Sequence, residues 1–287
     1  MGIEKICVIG AGTMGNGIAQ VAAQAGYETR MVDVNQDIID RGMNSIKGNL
    51  DRQIKKGVLK QEDVDKILAR LHTSISLKEA ARDADFVIEA VFEKTELKMS
   101  VFRELDEVCP KETILASNTS SIPIALLSSA TKRPDRVVGA HFFSPAPVMR
   151  GAEVVKALLT SEETVKVTFE LLKSFGKEPV VVKDSPGFVA NRFCMVIFNE
   201  GAKVLEEGLS SLEDIDKLMR LSLNWPMGPL ELADLVGIDV IVNTLEEIYS
   251  ETGWERYKPA PLLKRMVDIG YLGGKVGKGF YTLFGQK

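Results

Sequence analysis

The chain has 287 residues, 45% of them hydrophobic and 26% charged, the balance of a globular protein with one large or two modest domains. A net charge of −4 with no basic block excludes nucleic acid as an expected partner. No apolar run approaches the ~20 residues that cross a bilayer, so no membrane association is expected. The three cysteines, Cys7, Cys109 and Cys194, lack the close spacing of a disulfide framework or a metal site, and no metal is expected. Met1 leads directly into a strand-like segment without a signal peptide, and the chain reads as cytoplasmic.

Residues 5–9 (KICVI) form a short apolar run ending in glycine, the pattern of a buried strand. Apolar residues at helical spacing follow over 12–26. Further strands are expected at 28–34, 85–91, 112–116, 136–140 and 153–159, with helices over 95–108 and 161–175. Strands joined by helices predict a parallel sheet covered on both faces. The connection from the second strand to Asp85 is about fifty residues long. It reads as a helical insertion, about 36–71, that projects from the sheet, with Gly57 breaking it into two helices. After Pro186 no strand pattern remains, and helices with Gly or Pro at the joins account for the rest. The boundary is placed at the Asp184-Ser185-Pro186-Gly187 turn, giving domains 1–185 and 186–287.

Gly10-Ala11-Gly12-Thr13-Met14-Gly15 fits G-x-G-x-x-G, between a strand and a helix, and Asp33 ends the next strand. In that context Gly10 permits a tight turn, Gly12 lets backbone approach a pyrophosphate, and Gly15 lets helix pack on strand. The helix N-terminus presents unpaired N–H groups to the phosphates. Asp33 accepts hydrogen bonds from ribose hydroxyls and repels a 2′-phosphate, which favours NAD over NADP. Arg30 lies on the opposite face of that strand. The fold class is therefore α/β: a Rossmann-type doubly wound parallel sheet with a helical insertion, followed by an all-helical C-terminal domain.

Oxidation of a secondary alcohol needs a base that titrates near neutrality, most often histidine. The chain has two. His72 follows a charged segment and reads as a surface residue. His141 ends the strand at 136–140, where open parallel sheets bind ligands. Glu153, twelve residues on, is a candidate carboxylate to orient the ring. Composition and spacing thus point to an NAD-dependent dehydrogenase with His141 as the favoured base, and leave the substrate open.

Five segments occur in order: Ala116-Ser117-Asn118-Thr119-Ser120-Ser121, His141-Phe142-Phe143-Ser144-Pro145-Ala146-Pro147-Val148-Met149, Asp184-Ser185-Pro186-Gly187-Phe188-Val189-Ala190-Asn191-Arg192, Pro226-Met227-Gly228-Pro229 and Gly274-Lys275-Val276-Gly277-Lys278-Gly279-Phe280-Tyr281. Together they resemble the 3-hydroxyacyl-CoA dehydrogenase family, above all its short bacterial members that act on 3-hydroxybutyryl-CoA. The resemblance covers essentially the whole chain. It implies reversible NAD-dependent oxidation of (S)-3-hydroxybutyryl-CoA, or another short (S)-3-hydroxyacyl-CoA, to the 3-oxoacyl-CoA. His141 matches the general base and Glu153 its paired carboxylate. Ser120 and Asn191 match residues that bond the reacting oxygen or hold the histidine and nicotinamide. Glu93 and Lys98 match contacts to the ribose nearer the nicotinamide, and Lys275 matches a further cofactor contact. Lys56, with Asn49 and Arg52, matches the insertion that receives the CoA nucleotide. A homodimer formed through the helical domain is implied as well.

Two positions depart from the family pattern. Ser144 replaces the usual asparagine of HFFNP, which contacts the cofactor near the nicotinamide. Gly151 and Ala152 replace bulkier residues before Glu153, which predicts a looser acyl pocket. Two other readings stand beside the main one: a dehydrogenase of a 3-hydroxy acid without CoA, and a non-catalytic NAD-binding protein. The set Ser120, His141, Glu153 and Asn191 argues against the second.

Overall fold

Strand β1 (Lys5–Ile9) is buried after its first residue and runs into α1 (Thr13–Gln24), which returns the chain to β2 (Glu28–Val32). The computed structural model describes residues 2–285. Next come α2 (Gln36–Lys55), α3 (Gln61–Ala69), β3 (Leu71–Ser74), the short α4 (Leu77–Ala81) and β4 (Phe86–Glu89). Then follow α5 (Thr95–Val108), β5 (Ile114–Ser117), the short α6 (Ile124–Ser128), β6 (Val137–Phe142), β7 (Gly151–Lys156), α7 (Glu162–Ser174) and β8 (Glu178–Lys183). The strands form one sheet in the order β3-β2-β1-β4-β5-β6-β7-β8.

Strands β1 to β6 are parallel, whereas β7 runs antiparallel to β6, with β8 parallel to β7. Strand β7 is the one reversal in the expected parallel sheet, and its cause is chain length. Only Phe143 to Arg150 separates β6 from β7. A parallel crossover needs a dozen residues or more, so the chain must double back. The strand order reverses between β1 and β4, which opens the ligand crevice of a doubly wound sheet at their carboxyl ends.

The region between β2 and β4 differs from the expected insertion in two ways. First, Leu71 begins a strand and does not end a helix; α3 stops at Ala69, and β3 pairs with β2 from Thr29 to Val32. His72 sits exposed on this edge strand, 3.2 Å from the Glu28 carboxylate. Second, α2 packs into the core of the unit along one face. Ile39, Gly42, Ile46 and Leu50 recur at helical spacing and are buried. Gly42 is required there, since a Cβ would lie 2.7 Å from the Ala11 carbonyl oxygen. The polar end of α2 carries Arg52, Lys55 and Lys56.

The contacts divide the chain into two compact units, one ending at Ser185 and the other beginning at Pro186. The second contains α8 (Ala190–Glu206), α9 (Leu212–Leu223), α10 (Pro229–Val236), α11 (Ile238–Thr252), α12 (Pro261–Asp268) and α13 (Phe280–Phe284). Its core includes Phe198, Leu230, Ile241, Leu245, Leu263 and Phe280. No described helix is long and apolar enough to cross a membrane.

One buried carboxylate ties this second unit together. Asp216 on α9 accepts the Leu230 and Glu231 amides at the start of α10 at 2.8 Å each, and the Tyr281 hydroxyl at 2.7 Å. These bonds satisfy orphan N–H groups at a helix N-terminus and place an anion at its positive end. Asp216→Ala should lower stability by about 3 kcal/mol, since it leaves buried donors unsatisfied. Urea unfolding followed by circular dichroism would check this, with an unchanged midpoint contradicting it.

Candidate active site

The glycine-rich loop has the shape its sequence requires. Gly10 adopts a φ of 102°, and a Cβ there would lie 2.6 Å from the Ala90 carbonyl oxygen, where β1 and β4 converge. A Cβ on Gly15 would overlap the Gly10 carbonyl oxygen, so α1 can approach the strand only with glycine there. Around Gly12 nothing lies within 4 Å of a Cβ position. That open face, next to Thr13 and Met14 at the start of α1, is where a pyrophosphate needs backbone access. The Asp33 side chain accepts the Ala11 amide at 2.9 Å and the Val34 amide at 2.8 Å. The carboxylate is thereby held beside the loop. These residues fit a dinucleotide: two glycines that tolerate no side chain, one left open, and an acid fixed for the ribose.

His141 and Glu153 lie directly opposite each other in the antiparallel β6–β7 pair. Nδ1 of His141 is 2.8 Å from Oε2 of Glu153, and the two residues are only 5% and 4% exposed. A carboxylate accepts and cannot donate, so Nδ1 carries the proton and Nε2 is the basic nitrogen. One further contact fixes the ring and one fixes the backbone beside it. Phe143 packs edge-on against it at 5.0 Å between centroids. Asn118, just after β5, accepts the Phe142 amide at 2.9 Å and locks the end of β6.

The space beside Gly151, where a looser pocket was expected, borders the Phe143 ring. A Cβ on Gly151 would lie 3.2 Å from the Phe143 ring, so that ring already occupies the space next to it. Ala152 belongs to the buried core of the first unit. Ser144 is exposed at the start of the β6–β7 connection.

Glu93 gathers the loop after β5. Its Oε1 accepts the Thr119 hydroxyl at 2.5 Å and the Ser120 amide at 2.8 Å, with the Ser121 hydroxyl at 3.2 Å. Burial alone would raise the Glu93 pKa, but the Lys98 ammonium, the Thr119 hydroxyl and the Ser120 N–H outweigh it. Together they hold the carboxyl below the ordinary glutamate range. Lys98 differs from its expected role as a direct cofactor contact. It is 1% exposed, with Nζ 2.7 Å from Glu89 Oε1, 3.1 Å from Glu93 Oε2 and 3.2 Å from the Val91 carbonyl oxygen. It is a buried cation that positions Glu93. Glu89 in turn accepts the Ser117 hydroxyl at 2.6 Å and the Val91 amide at 2.7 Å.

Asn49, Arg52 and Lys56 come together on one wall of a groove of about 690 Å³, opposite the β6–β7 connection. Arg150 and Lys177 add two further cations, and no carboxylate lines the groove. Asn49 is partly a brace: its amide donates to Gln20 Oε1 at 3.0 Å and accepts from Arg52. Asn191 and Lys275 belong to the second unit. Asn191 is the second residue of α8, and Lys275 pairs with Asp239 at 2.5 Å.

Residues 5–185 match the family described as 3-hydroxyacyl-CoA dehydrogenase, NAD binding domain, and residues 187–283 match its C-terminal domain. The chain belongs to the 3-hydroxyacyl-CoA dehydrogenase family. A probable 3-hydroxybutyryl-CoA dehydrogenase of Bacillus subtilis is 45% identical over 281 residues, covering 98% of each chain. The crystal structure of (S)-3-hydroxybutyryl-CoA dehydrogenase PaaH1 from Ralstonia eutropha superposes with a TM-score of 0.93 at 43% identity, covering 97% of this chain and 98% of that one. That of FadB2 from M. tuberculosis gives 0.95 at 40%, covering 98% and 99%.

For a 3-hydroxyacyl-CoA dehydrogenase, the residues that sequence reasoning missed are those behind the site: Glu89, Ser117, Asn118, Thr119 and Lys177. A signal existed for Glu89. An acid inside the apolar run Phe86-Val87-Ile88-Glu89-Ala90-Val91 must be buried, and a buried charge needs a partner. NAD is the cofactor this family binds in its first domain, and the loop geometry predicts two separable glycine effects. Gly12→Ala should leave stability within about 0.5 kcal/mol while weakening NADH binding, since its Cβ meets only the space the pyrophosphate needs. Gly15→Ala should lower stability by about 3 kcal/mol through overpacking against backbone. Thermal unfolding with NADH titration by fluorescence would separate them, and equal stabilities for both variants would contradict this assignment.

Proposed function

We propose that the protein catalyses the reversible NAD-dependent oxidation of (S)-3-hydroxybutyryl-CoA, or another short (S)-3-hydroxyacyl-CoA, to the 3-oxoacyl-CoA. The observation that carries this reading is the buried His141–Glu153 pair beyond the sheet's crevice, with a basic groove in the same unit. NAD, when bound, supplies the hydride acceptor. His141 Nε2 takes the hydroxyl proton, and in the reverse direction the imidazolium returns it to the 3-keto oxygen. Glu153 stabilises the imidazolium and fixes its tautomer through Nδ1. Ser120, whose amide is held by Glu93, is assigned a bond that polarises the reacting oxygen.

The groove supports a CoA thioester over a CoA-free hydroxy acid. Four cations and no acid line it, which suits a polyanionic handle bound away from the chemistry. Ordinary small hydroxy acids have no use for such a surface.

The test is NADH oxidation with acetoacetyl-CoA, followed at 340 nm, in the wild type and in His141→Gln. The variant should lose about 10²–10⁴ in kcat while retaining NADH binding. A wild-type protein that binds NADH but leaves acetoacetyl-CoA unreduced would overturn the CoA reading in favour of a CoA-free substrate or a non-catalytic role.

We also propose that the protein works in the cytoplasm as a homodimer joined through its helical unit. Leu218 and Leu221 project from one face of α9, and Leu235 projects from α10; all three are exposed. Exposed leucines of this kind suit an association surface. Sedimentation equilibrium should give twice the chain mass of 31.5 kDa, with Leu218→Glu and Leu221→Glu together shifting it to the monomer; a monomeric wild type would contradict the proposal.

A further inference from the structure

Lys177, between α7 and β8, is 6% exposed and points into the first unit. Its ammonium donates to the carbonyl oxygen of Ala146 and, at 2.8 Å, to that of Met149. Among the described residues no carboxylate pairs with it, and its burial lowers its pKa. An ammonium buried this far without a counter-ion is costly, so it needs a compensating role. Its position supplies one. Both carbonyls belong to the eight-residue connection from β6 to β7, and that connection forms one wall of the basic groove.

The connection is held at three points. The Glu178 amide bonds the Arg150 carbonyl oxygen at 2.8 Å, anchoring its end. On the side towards α1, Pro147 and Ala146 fit against Gly17, where a Cβ would lie 3.0 Å from the Pro147 ring. Lys177 binds the middle, drawing the Ala146 and Met149 carbonyls to one cation. Between those two carbonyls stand Pro147 and Val148, and Val148 is exposed, as is Met149. The His141–Glu153 pair has separate supports. It is fixed by the β6–β7 register, by Asn118 on the Phe142 amide and by the Phe143 ring, and the Lys177 ammonium hydrogen-bonds none of these residues.

We propose that Lys177 is a positioning residue for substrate: it clamps residues 145–149 into the shape that receives the phosphate-bearing part of the CoA thioester and adds its charge to that wall. The inference rests on the CoA reading above and extends it to a residue outside the reacting atoms. Its effect falls on binding of the handle and spares the proton-transfer pair.

The experiment compares the wild type and Lys177→Met, which keeps the length of the side chain and removes its donors and charge. Two substrates are used: acetoacetyl-CoA and the acetoacetyl thioester of N-acetylcysteamine, which has the reacting group but lacks the nucleotide and phosphates. Lys177→Met should raise KM for acetoacetyl-CoA about tenfold, with kcat and the KM for NADH held within about threefold. The KM for the truncated thioester should not move. A rise shared by both thioesters, a fall in kcat larger than the rise in KM, or no change would overturn the inference. Should Lys177→Met fail to fold, Lys177→Gln keeps an amide donor and is read by the same pair of KM values. Failure of the wild type to reduce acetoacetyl-CoA is a separate result and counts against the substrate reading itself.

Discussion

Eight residues between β6 and β7 decide where His141 and Glu153 stand. So short a connection cannot carry a helix across the sheet, and the strand must turn back beside the one it left. In an antiparallel pair, residues at matching register face each other across about 5 Å, on the same side of the sheet. His141 and Glu153 occupy such a pair, and their 2.8 Å hydrogen bond follows from the register. A parallel β7 would have carried the acid away from the ring. The Phe143 ring against His141 and the Asn118 bond to the next amide then remove most of the freedom that remains.

A second fixed element lies on the other side of the crevice. Glu89 ends a wholly buried strand, and Lys98 reaches it from the first turn of α5. The pair is inaccessible to water, so breaking it would leave a bare charge at a cost of about 3–5 kcal/mol. What it holds is the useful part. Lys98 also meets Glu93, and Glu93 collects the hydroxyl and amide groups of residues 119–121. The loop bearing Ser120 is thus set by a chain of charges that begins inside the sheet. Loops that carry function gain precision when a rigid scaffold fixes them in this way.

Much of this was legible in the sequence because the signals were local. The glycine fingerprint, Asp33 and the change to helical pattern after Pro186 each lie within a few residues of the feature they announce. Strand β3 was hidden because Leu71-His72-Thr73-Ser74 is short and follows a helix without a strong stop, and only its pairing with β2 makes it a strand. Strand β8 was missed because Val180 and Val181 sit on a mostly exposed edge, where alternation of burial is weak. At the candidate site, the pairing of His141 with Glu153 was legible and the residues that hold the pair in place were not. Lys98 was expected to contact the cofactor because the family resemblance implied that role. Burial is a tertiary fact, and spacing alone could not show that Glu89 would claim it. The same limit applied to Gly151, whose missing side chain suggested empty space that Phe143 fills.

Asp33 joins two properties that are usually discussed apart. One carboxylate oxygen takes the Ala11 amide in the middle of the glycine loop, and the other takes the Val34 amide beyond the strand. An anion at this point is what the proposed preference for NAD over its phosphorylated counterpart would rest on, and the same anion braces the loop. Exchange of Asp33 for a neutral or basic residue, the obvious route to a phosphorylated cofactor, therefore also removes a loop brace. An evolutionary change of cofactor would have to find a new acceptor for Ala11 at the same time. That coupling gives the cofactor preference a persistence greater than a single codon suggests.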